Sequence, residues 1–600
     1  MTAAPAPLRA PAELLDRPHH DGSYVLELPD EVGGTATLRL RVPRATAVDE
    51  VVLRASRDGE PVNVAAELDE ETDTDTWYRV SLPLHNPLTR YRWLLGGGDV
   101  GYAWLNGTGL HGHDLPDADD FVLRVGRRAP EWHLRSVVYE IFPDRFATSG
   151  ADAPSPEWAV RRRWDELPNE RGGQFELFGG DLRGAERRLD HVEGLGASAL
   201  YLRPFFPAGS THRYDATSFD RVDPLLGGDE ALASLLTAAH ARGLRVLGDL
   251  TTNHTGDRHE WFERSERDFY FFDEALPHGY EAWYGISTLP KLDWSSPRLR
   301  AAMARVVTRW LDAGLDGWRI DVANMTGRRG ATDVWAEAAA EIRAAAGAAL
   351  VVAEHGHDFR DDLAAGPWDG AMNYAGFLRP VCQWLRRDDL SERLRASFWG
   401  APVGLPRLPA GDVVATMRAF RAGVPWEATL HSWVLLDSND TARFRTVAGR
   451  ERQLVGVGLQ LTTPGVPMVC AGDEVGLEGE WGEDGRRPFP WHAPESWDGA
   501  LLEEYRRLIA LRRGSAALSD GGLRYAHVGD DAIAYLREAP GERLLCLAAR
   551  AAHDPVRLPL AALDCRALET IHGDDATCAA GFATLPDDGP AFHVWRLSDG

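Results

Sequence analysis

The segment L-D-G-W-R-I-D, Leu315 to Asp321, is a short apolar run that closes on a charged pair. Side chains alternate along an extended strand, so Arg319 and Asp321 share one face while Trp318 and Ile320 take the other. A guanidinium beside a carboxylate favours the ionised form, which predicts Asp321 as a charged acid at neutral pH. The same design recurs downstream. A-L-V-V-A-E closes on Glu354 after the β-branched Val351 and Val352, and Asp440 follows the apolar run Trp433 to Leu436 in L-L-D-S-N-D-T. An isolated Asp or Glu is usually a solvated loop carboxylate or a helix cap. Three acids at three strand ends form a constellation.

Around these acids the chain repeats one rhythm, a short apolar strand and then an amphipathic helix. S-A-L-Y-L-R from Ser198 precedes an Ala-rich helix from Asp229 to Arg242, L-R-V-L-G-D-L follows from Leu244, and a further helix runs from Arg298 to Ala313 before the strand ending at Asp321. Alternating β and α units argue for a parallel sheet with crossover helices. Eight candidate strands lie at about 137–142, 198–203, 244–249, 315–320, 350–354, 370–373, 432–437 and 466–470, which fits a closed (β/α)8 barrel better than an open sheet. Chemistry in such barrels sits at the carboxyl ends of the strands, where Asp249, Asp321, Glu354 and Asp440 all fall.

Four motifs, in order and at consistent spacing, resemble the α-amylase family of glycoside hydrolases, and within it the neopullulanase, cyclomaltodextrinase and maltogenic-amylase group. They are G-D-L-T-T-N-H at Gly248 to His254, G-W-R-I-D-V-A-N at Gly317 to Asn324, A-E-H at Ala353 to His355 and L-L-D-S-N-D-T at Leu435 to Thr441. Supporting segments are Y-E-I-F-P-D-R-F from Tyr139, F-G-G-D-L-R-G from Phe178, H-R-Y-D-A-T-S-F from His212, L-P-K-L-D-W from Leu289 and G-V-P-M-V-C-A-G-D-E from Gly465. The set covers most of the chain and is far more specific than any one short motif.

The resemblance implies Asp321 as nucleophile, Glu354 as general acid/base and Asp440 as the carboxylate that steadies the distorted sugar. It implies Tyr214 as an aromatic platform under the sugar, His254 as a hydroxyl-binding imidazole, and Arg319, Asn439, Asp249 and Asn253 as further substrate-site residues. Retaining hydrolysis requires one ionised and one protonated carboxyl group close together around an oxocarbenium-like transition state. Glu354, with two other carboxylates nearby, is expected to have a raised pKa, as a proton donor needs. The implied reaction is retaining hydrolysis of α-glucosidic bonds, mainly α-1,4, in cyclodextrins, other cyclic or linear maltooligosaccharides, or pullulan, through a covalent glucosyl-Asp intermediate. The alternatives are a 4-α-glucanotransferase or transglycosylating α-glucosidase, and a catalytically weakened glucan-binding protein.

Three positions depart from the group's pattern. Asn439 stands where a His usually adjoins the transition-state Asp; it can donate a hydrogen bond but carries no charge. Met325 stands where the group typically has Glu, and Gly356 where it usually has Trp. Acceptor-side contacts are thus altered, and the preferred glucan stays open.

Six hundred residues exceed one ordinary domain, and 44% hydrophobic with 26% charged residues is a soluble multidomain profile. Short alternating runs from Tyr24 to about Leu123 read as a β-sandwich, and from about Gly514 short strands return. The expected plan is a multidomain α/β protein. Residues 1–128 form an N-terminal β-sandwich resembling a starch-binding module, 129–513 the barrel with a cap at about 255–297 after the third strand, and 514–600 a C-terminal β-sandwich. Of the aromatics Trp77, Tyr91, Trp93, Tyr102 and Trp104, at least half are expected in the core rather than on a glucan-stacking surface. The group's architecture makes a homodimer a candidate assembly.

A net charge of −26, with 65 basic residues scattered along the chain, argues against nucleic acid as a partner, whereas a neutral oligosaccharide needs no charged field. Five cysteines without metal-ligand spacing argue against a disulfide framework. No signal-peptide core or membrane-length stretch is found, so a cytoplasmic location is expected. No cofactor is required. Calcium is the one candidate ion, with Asp144, Asp152 and Asp181 as oxygen donors, although A-T-S-G-A-D-A lacks the dense Asn/Asp set of a typical site. The H-x-H pairs at His111 and His355 lack further zinc ligands.

Overall fold

The computed structural model describes residues 12–151, 155–264, 266–396, 403–480 and 482–598. Its centre is a ring of eight parallel strands: β1 Val138–Ile141, β2 Ala199–Leu202, β3 Arg245–Thr251, β4 Gly317–Asp321, β5 Leu350–Ala353, β6 Gly370–Ala371, β7 Trp433–Leu435 and β8 Val466–Cys470. Each strand pairs with the next in sequence, and β1 pairs with β8 through Val138 opposite Met468. Between β6 and β7 the ring closes through a single bridge, Met372 to Trp433. The eight-stranded barrel expected from the rhythm is therefore present, with β6 and β7 the most shortened relative to their sequence signals.

Burial on both faces explains why these strands read as continuous apolar runs rather than alternating ones: every residue of β4 and β5 is buried. The crossover helices cover the outside. The helix Pro297–Asp312 starts on Ser296, whose side chain accepts from the Leu299 N–H, with Pro297 at the first position where its missing donor costs nothing. It buries Leu299, Met303, Val306, Val307 and Trp310, one helical stripe facing the sheet.

N-terminal to the barrel, two antiparallel sheets face each other. One has the order Val25–Glu27, Thr35–Pro43, Asp75–Pro83, Glu67–Glu71; the other is built around Glu50–Arg57 and Leu88–Gly97. Ala36, Leu38, Leu40 and Val42, every second residue of one strand, meet Leu53, Tyr91, Trp93 and Leu95 in the shared core. Of the five aromatics in question, Tyr91, Trp93 and Trp104 are buried, Trp77 is half-buried and Tyr102 is exposed. After the barrel, a five-stranded antiparallel sheet and a three-stranded one complete the chain. The excursion after β3 holds only short helices, Glu260–Glu263 and Trp283–Gly285, with isolated bridges that return it to the barrel at His254 and Lys291. Among the described residues no helix is long and apolar enough to cross a membrane.

Candidate active site

The carboxyl ends of β3, β4 and β5 converge on one guanidinium. Arg319 is fully buried; its Nη1 donates to Asp249 and to Asp321, each at 2.8 Å, and its Nη2 lies 2.9 Å from Glu354 Oε1. The strand pairing produces this convergence, because Asp249 is opposite Arg319 and Ile320 is opposite Ala353, one residue before Glu354. Asp249 also accepts from the hydroxyls of Tyr201 at 2.5 Å and Tyr214 at 3.0 Å.

Immediately after Asp321 the backbone turns sharply. Val322 adopts a left-handed conformation, φ 36°, which a β-branched side chain strongly resists. The turn aims the Val322 N–H at Glu354 Oε2, 2.8 Å away, so strain in the loop fixes the second acid against the first.

One positive charge shared by three carboxylates changes the expected electrostatics. Arg319 acts on Asp321 in the expected sense, favouring the ionised form, but burial and two further carboxylates oppose it. Burial raises Asp321 well above the usual carboxylate range, with the charges of Glu354 and Asp249 adding to the rise and Arg319 opposing it. Burial raises Glu354 too, against Arg319 and with help from Asp440. Asp321 and Glu354, sharing one guanidinium, therefore titrate as a linked pair whose protons are held more tightly than those of free carboxyl groups. Asp440 differs: burial would raise it, but Arg203, Arg486 and Arg319 hold it below its ordinary value.

Asp440 reaches the same cleft from the loop after β7. Its Oδ1 accepts from Arg486 at 3.0 Å and from the amide of Asn439 at 2.7 Å, so the residue that replaces the usual His does support the carboxylate. Tyr214 lines the cleft with the Arg203 guanidinium 5.0 Å from its ring centre. His254 is buried and stacks on Trp283 with centroids 5.3 Å apart, and Asn253 lies beside it with its amide 3.1 Å from His254 Nδ1. All the sequence-predicted substrate-site residues therefore sit in or directly behind one cleft. Arg203, Arg486 and Trp283 were not anticipated. Trp283 had a signal in the aromatic richness of the cap, whereas Arg486 ends the short 3-10 helix Gly482–Arg486, whose sequence carries none.

Of the calcium candidates, Asp144 and Asp181 have their oxygens taken by protein donors. Asp144 accepts from the N–H groups of Phe178 and Gly179 and pairs with Arg145 at 2.9 Å. Asp181 accepts from Gly184 N–H at 2.6 Å and from Ser149 N–H and hydroxyl at 3.0 and 2.7 Å. A hard cation needs six or more free oxygens, and these four each face a donor. Arg161, Arg183 and Arg213 line the same small cavity. Asp152 lies outside the described residues.

The cleft has a volume of about 1380 Å³ and is walled by Trp158, Phe175, Trp283, Tyr284 and Ile286 on its apolar side. A parallel barrel with carboxylates at its strand ends and an aromatic-walled cleft above them defines the class, a barrel enzyme with an acid-lined cleft. Residues 140–346 match the family model for the α-amylase catalytic domain. The chain is 30% identical over 553 residues to Neopullulanase 2 of Thermoactinomyces vulgaris, covering 87% of this chain and 88% of that protein. A solved cyclomaltodextrinase shares the fold with a TM-score of 0.73 at 23% identity, covering 97% of this chain and 100% of that one. The cyclic α-maltosyl-(1→6)-maltose hydrolase of Arthrobacter globiformis gives a TM-score of 0.64 at 28% identity, covering 78% and 100%. The chain belongs to the α-amylase family of glycoside hydrolases and is similar to its neopullulanases and cyclomaltodextrinases.

Proposed function

We propose that the protein hydrolyses α-glucosidic bonds, mainly α-1,4, in cyclic and short linear maltooligosaccharides, with retention of configuration. The observation that carries the reading is the contact of one buried guanidinium, Arg319, with both Asp321 and Glu354 at the floor of the cleft. In the proposed cycle Asp321 attacks the anomeric carbon while the proton held by the pair passes from Glu354 to the departing glycosidic oxygen. Glu354, now ionised, takes a proton from water, whose oxygen displaces Asp321 and restores both acids. Asp440, kept ionised by its arginines, faces the positive charge that develops on the ring.

The cleft volume of about 1380 Å³ supports an oligosaccharide with several rings bound at once. The similar proteins, a neopullulanase, a cyclomaltodextrinase and a hydrolase of a cyclic maltosyl-maltose, support cyclic and short glucans as the substrate class.

The test is a time course on α-, β- and γ-cyclodextrin, pullulan, maltotriose and an α-1,6-linked maltooligosaccharide, following product size and anomeric form. Small sugars released as the α-anomer are expected. Products longer than the substrate would assign transfer instead, and release of the β-anomer would overturn retention. Asp321→Asn is expected to lower kcat by on the order of 10⁴-fold with an unchanged circular dichroism spectrum; full activity in that variant would overturn the assignment of the nucleophile.

A further inference from the structure

Behind His254 runs a short chain of buried polar groups that the proposed cycle does not use. Lys291 is 5% exposed, and Asn253 and His254 are each 1% exposed. The Lys291 ammonium donates to Asn253 Oδ1 at 2.5 Å and to the Met325 carbonyl at 3.2 Å. The Asn253 amide nitrogen lies 3.1 Å from His254 Nδ1. The other ring nitrogen, Nε2, is buried without a protein partner among the described residues, in a side chain that lines the cleft.

Donor and acceptor roles in this chain follow from chemistry alone. An ammonium has three donors and no acceptor, so the atom of Asn253 that faces Lys291 is the oxygen. That fixes the otherwise ambiguous amide and turns its NH2 toward the imidazole. His254 Nδ1 must then accept, and a neutral imidazole that accepts at Nδ1 carries its proton on Nε2. The ring is neutral, because burial and the nearby Lys291 charge lower its pKa to about 3. The backbone holds the relay in register: Leu292 N–H donates to the Asn253 carbonyl at 2.9 Å and Thr255 N–H to the Pro290 carbonyl at 3.2 Å, pinning the cap segment to the end of β3.

We infer that Lys291, through Asn253, is a positioning residue that holds His254 as the Nε2–H tautomer, a fixed hydrogen-bond donor aimed at a hydroxyl oxygen of the bound sugar. The ligand side of this inference rests on the proposed glucan site; the tautomer does not. Trp283, stacked on the imidazole, holds the ring plane while the relay holds the proton. An imidazole free to change tautomer would offer a lone pair to the sugar part of the time, and the cap would no longer be coupled to the donor it shelters.

The experiment is long-range ¹H–¹⁵N correlation on ¹⁵N-histidine-labelled protein, with the His254 signal assigned by its loss in His254→Gln. Wild-type protein without ligand is expected to carry the His254 proton on Nε2 alone between pH 6 and 8. Lys291→Met is expected to populate Nδ1–H and raise KM about fivefold, the cost of one ordinary hydrogen bond, with kcat within twofold. Lys291→Arg, which keeps the donors, is expected to restore both. A merely structural lysine would leave the tautomer signal unmoved. Should Lys291→Met fail to fold, Asn253→Asp tests the same relay, since its carboxylate still pairs with Lys291 but accepts from the ring and draws a proton onto Nδ1. An Nδ1 proton in the wild type, or an unmoved signal in the variant that folds, overturns the inference. Absence of glucan turnover with the expected tautomer would overturn the proposed substrate and leave the relay standing.

Discussion

A single guanidinium facing three carboxylates decides the chemistry available at the floor of the cleft. The G-W-R-I-D stretch makes the neighbourhood of Arg319 and Asp321 legible, because two positions along a strand share a face. That Asp249 and Glu354 claim the same charge is a fact of the ring of strands, and no local pattern carries it. Arg486 was invisible for the same reason: a residue outside the barrel strands acquires its partner only when its segment is placed. Because burial raises the Asp321 and Glu354 pair, the singly protonated active form survives above the ordinary carboxylate pKa of about 4.3 and is lost as pH rises through the raised value. The alkaline limb of kcat/KM is therefore expected well above that point; a limb near 4.3 would contradict the shared proton. Asn439 donates to an ionised acid, a bond stronger than a neutral one. Asn439→Ala is expected to lower kcat about tenfold in the same assay, with little change in melting temperature.

Among the elements, all eight barrel strands were readable in place, while the length of β6, two residues against the four expected at 370–373, was not. The bottom face of the barrel holds a device that sequence does not show. His133 precedes β1 and His431 precedes β7, and their Nδ1 atoms lie 2.9 Å apart. The Trp433 indole N–H donates to His133 Nε2 at 3.0 Å, so His133 must carry its proton on Nδ1 and give it to His431. Both rings are neutral, since burial lowers His133 far below its ordinary value and His431 to about 3. Unfolding lets each ring bind a proton at its ordinary pKa of 6.5. Full stability is thus present above pH 6.5 and is lost progressively as pH falls from 6.5 toward 3, by about 1.4 kcal/mol per pH unit for each histidine. A melting temperature that falls between pH 7 and pH 5, and falls less in His431→Phe, is expected in a calorimetric series.

On the scale of the whole molecule, the three sheet systems are tied by arginines reaching across their borders. Arg127, just past the sandwich, and Arg343, on a barrel helix, both grip Asp369 beneath β6, and Asp369 also accepts from the Val351 N–H at 2.8 Å. Asp369→Ala strands two guanidinium groups, one of them largely buried. It is expected to cost about 3 kcal/mol, read as a lowered urea midpoint, while kcat of the remaining folded protein is unchanged. Composition and rhythm revealed that sandwich, barrel and terminal sheets exist, since each has its own periodicity. They could not reveal that the segment before the sandwich, paired with it through His19 and Arg41, also binds the far end of the chain. Leu15 is buried in the core of the C-terminal sheets, and the Asp21 carboxylate accepts from the Leu523 N–H, 502 positions away. During synthesis Asp21 leaves the ribosome 502 positions ahead of Leu523, roughly half a minute or more at 5–20 residues per second. Until then Leu15, whose carbonyl accepts from Arg41 of the sandwich, lacks its second cover, and the C-terminal sheets complete their packing only by capturing a segment made long before them.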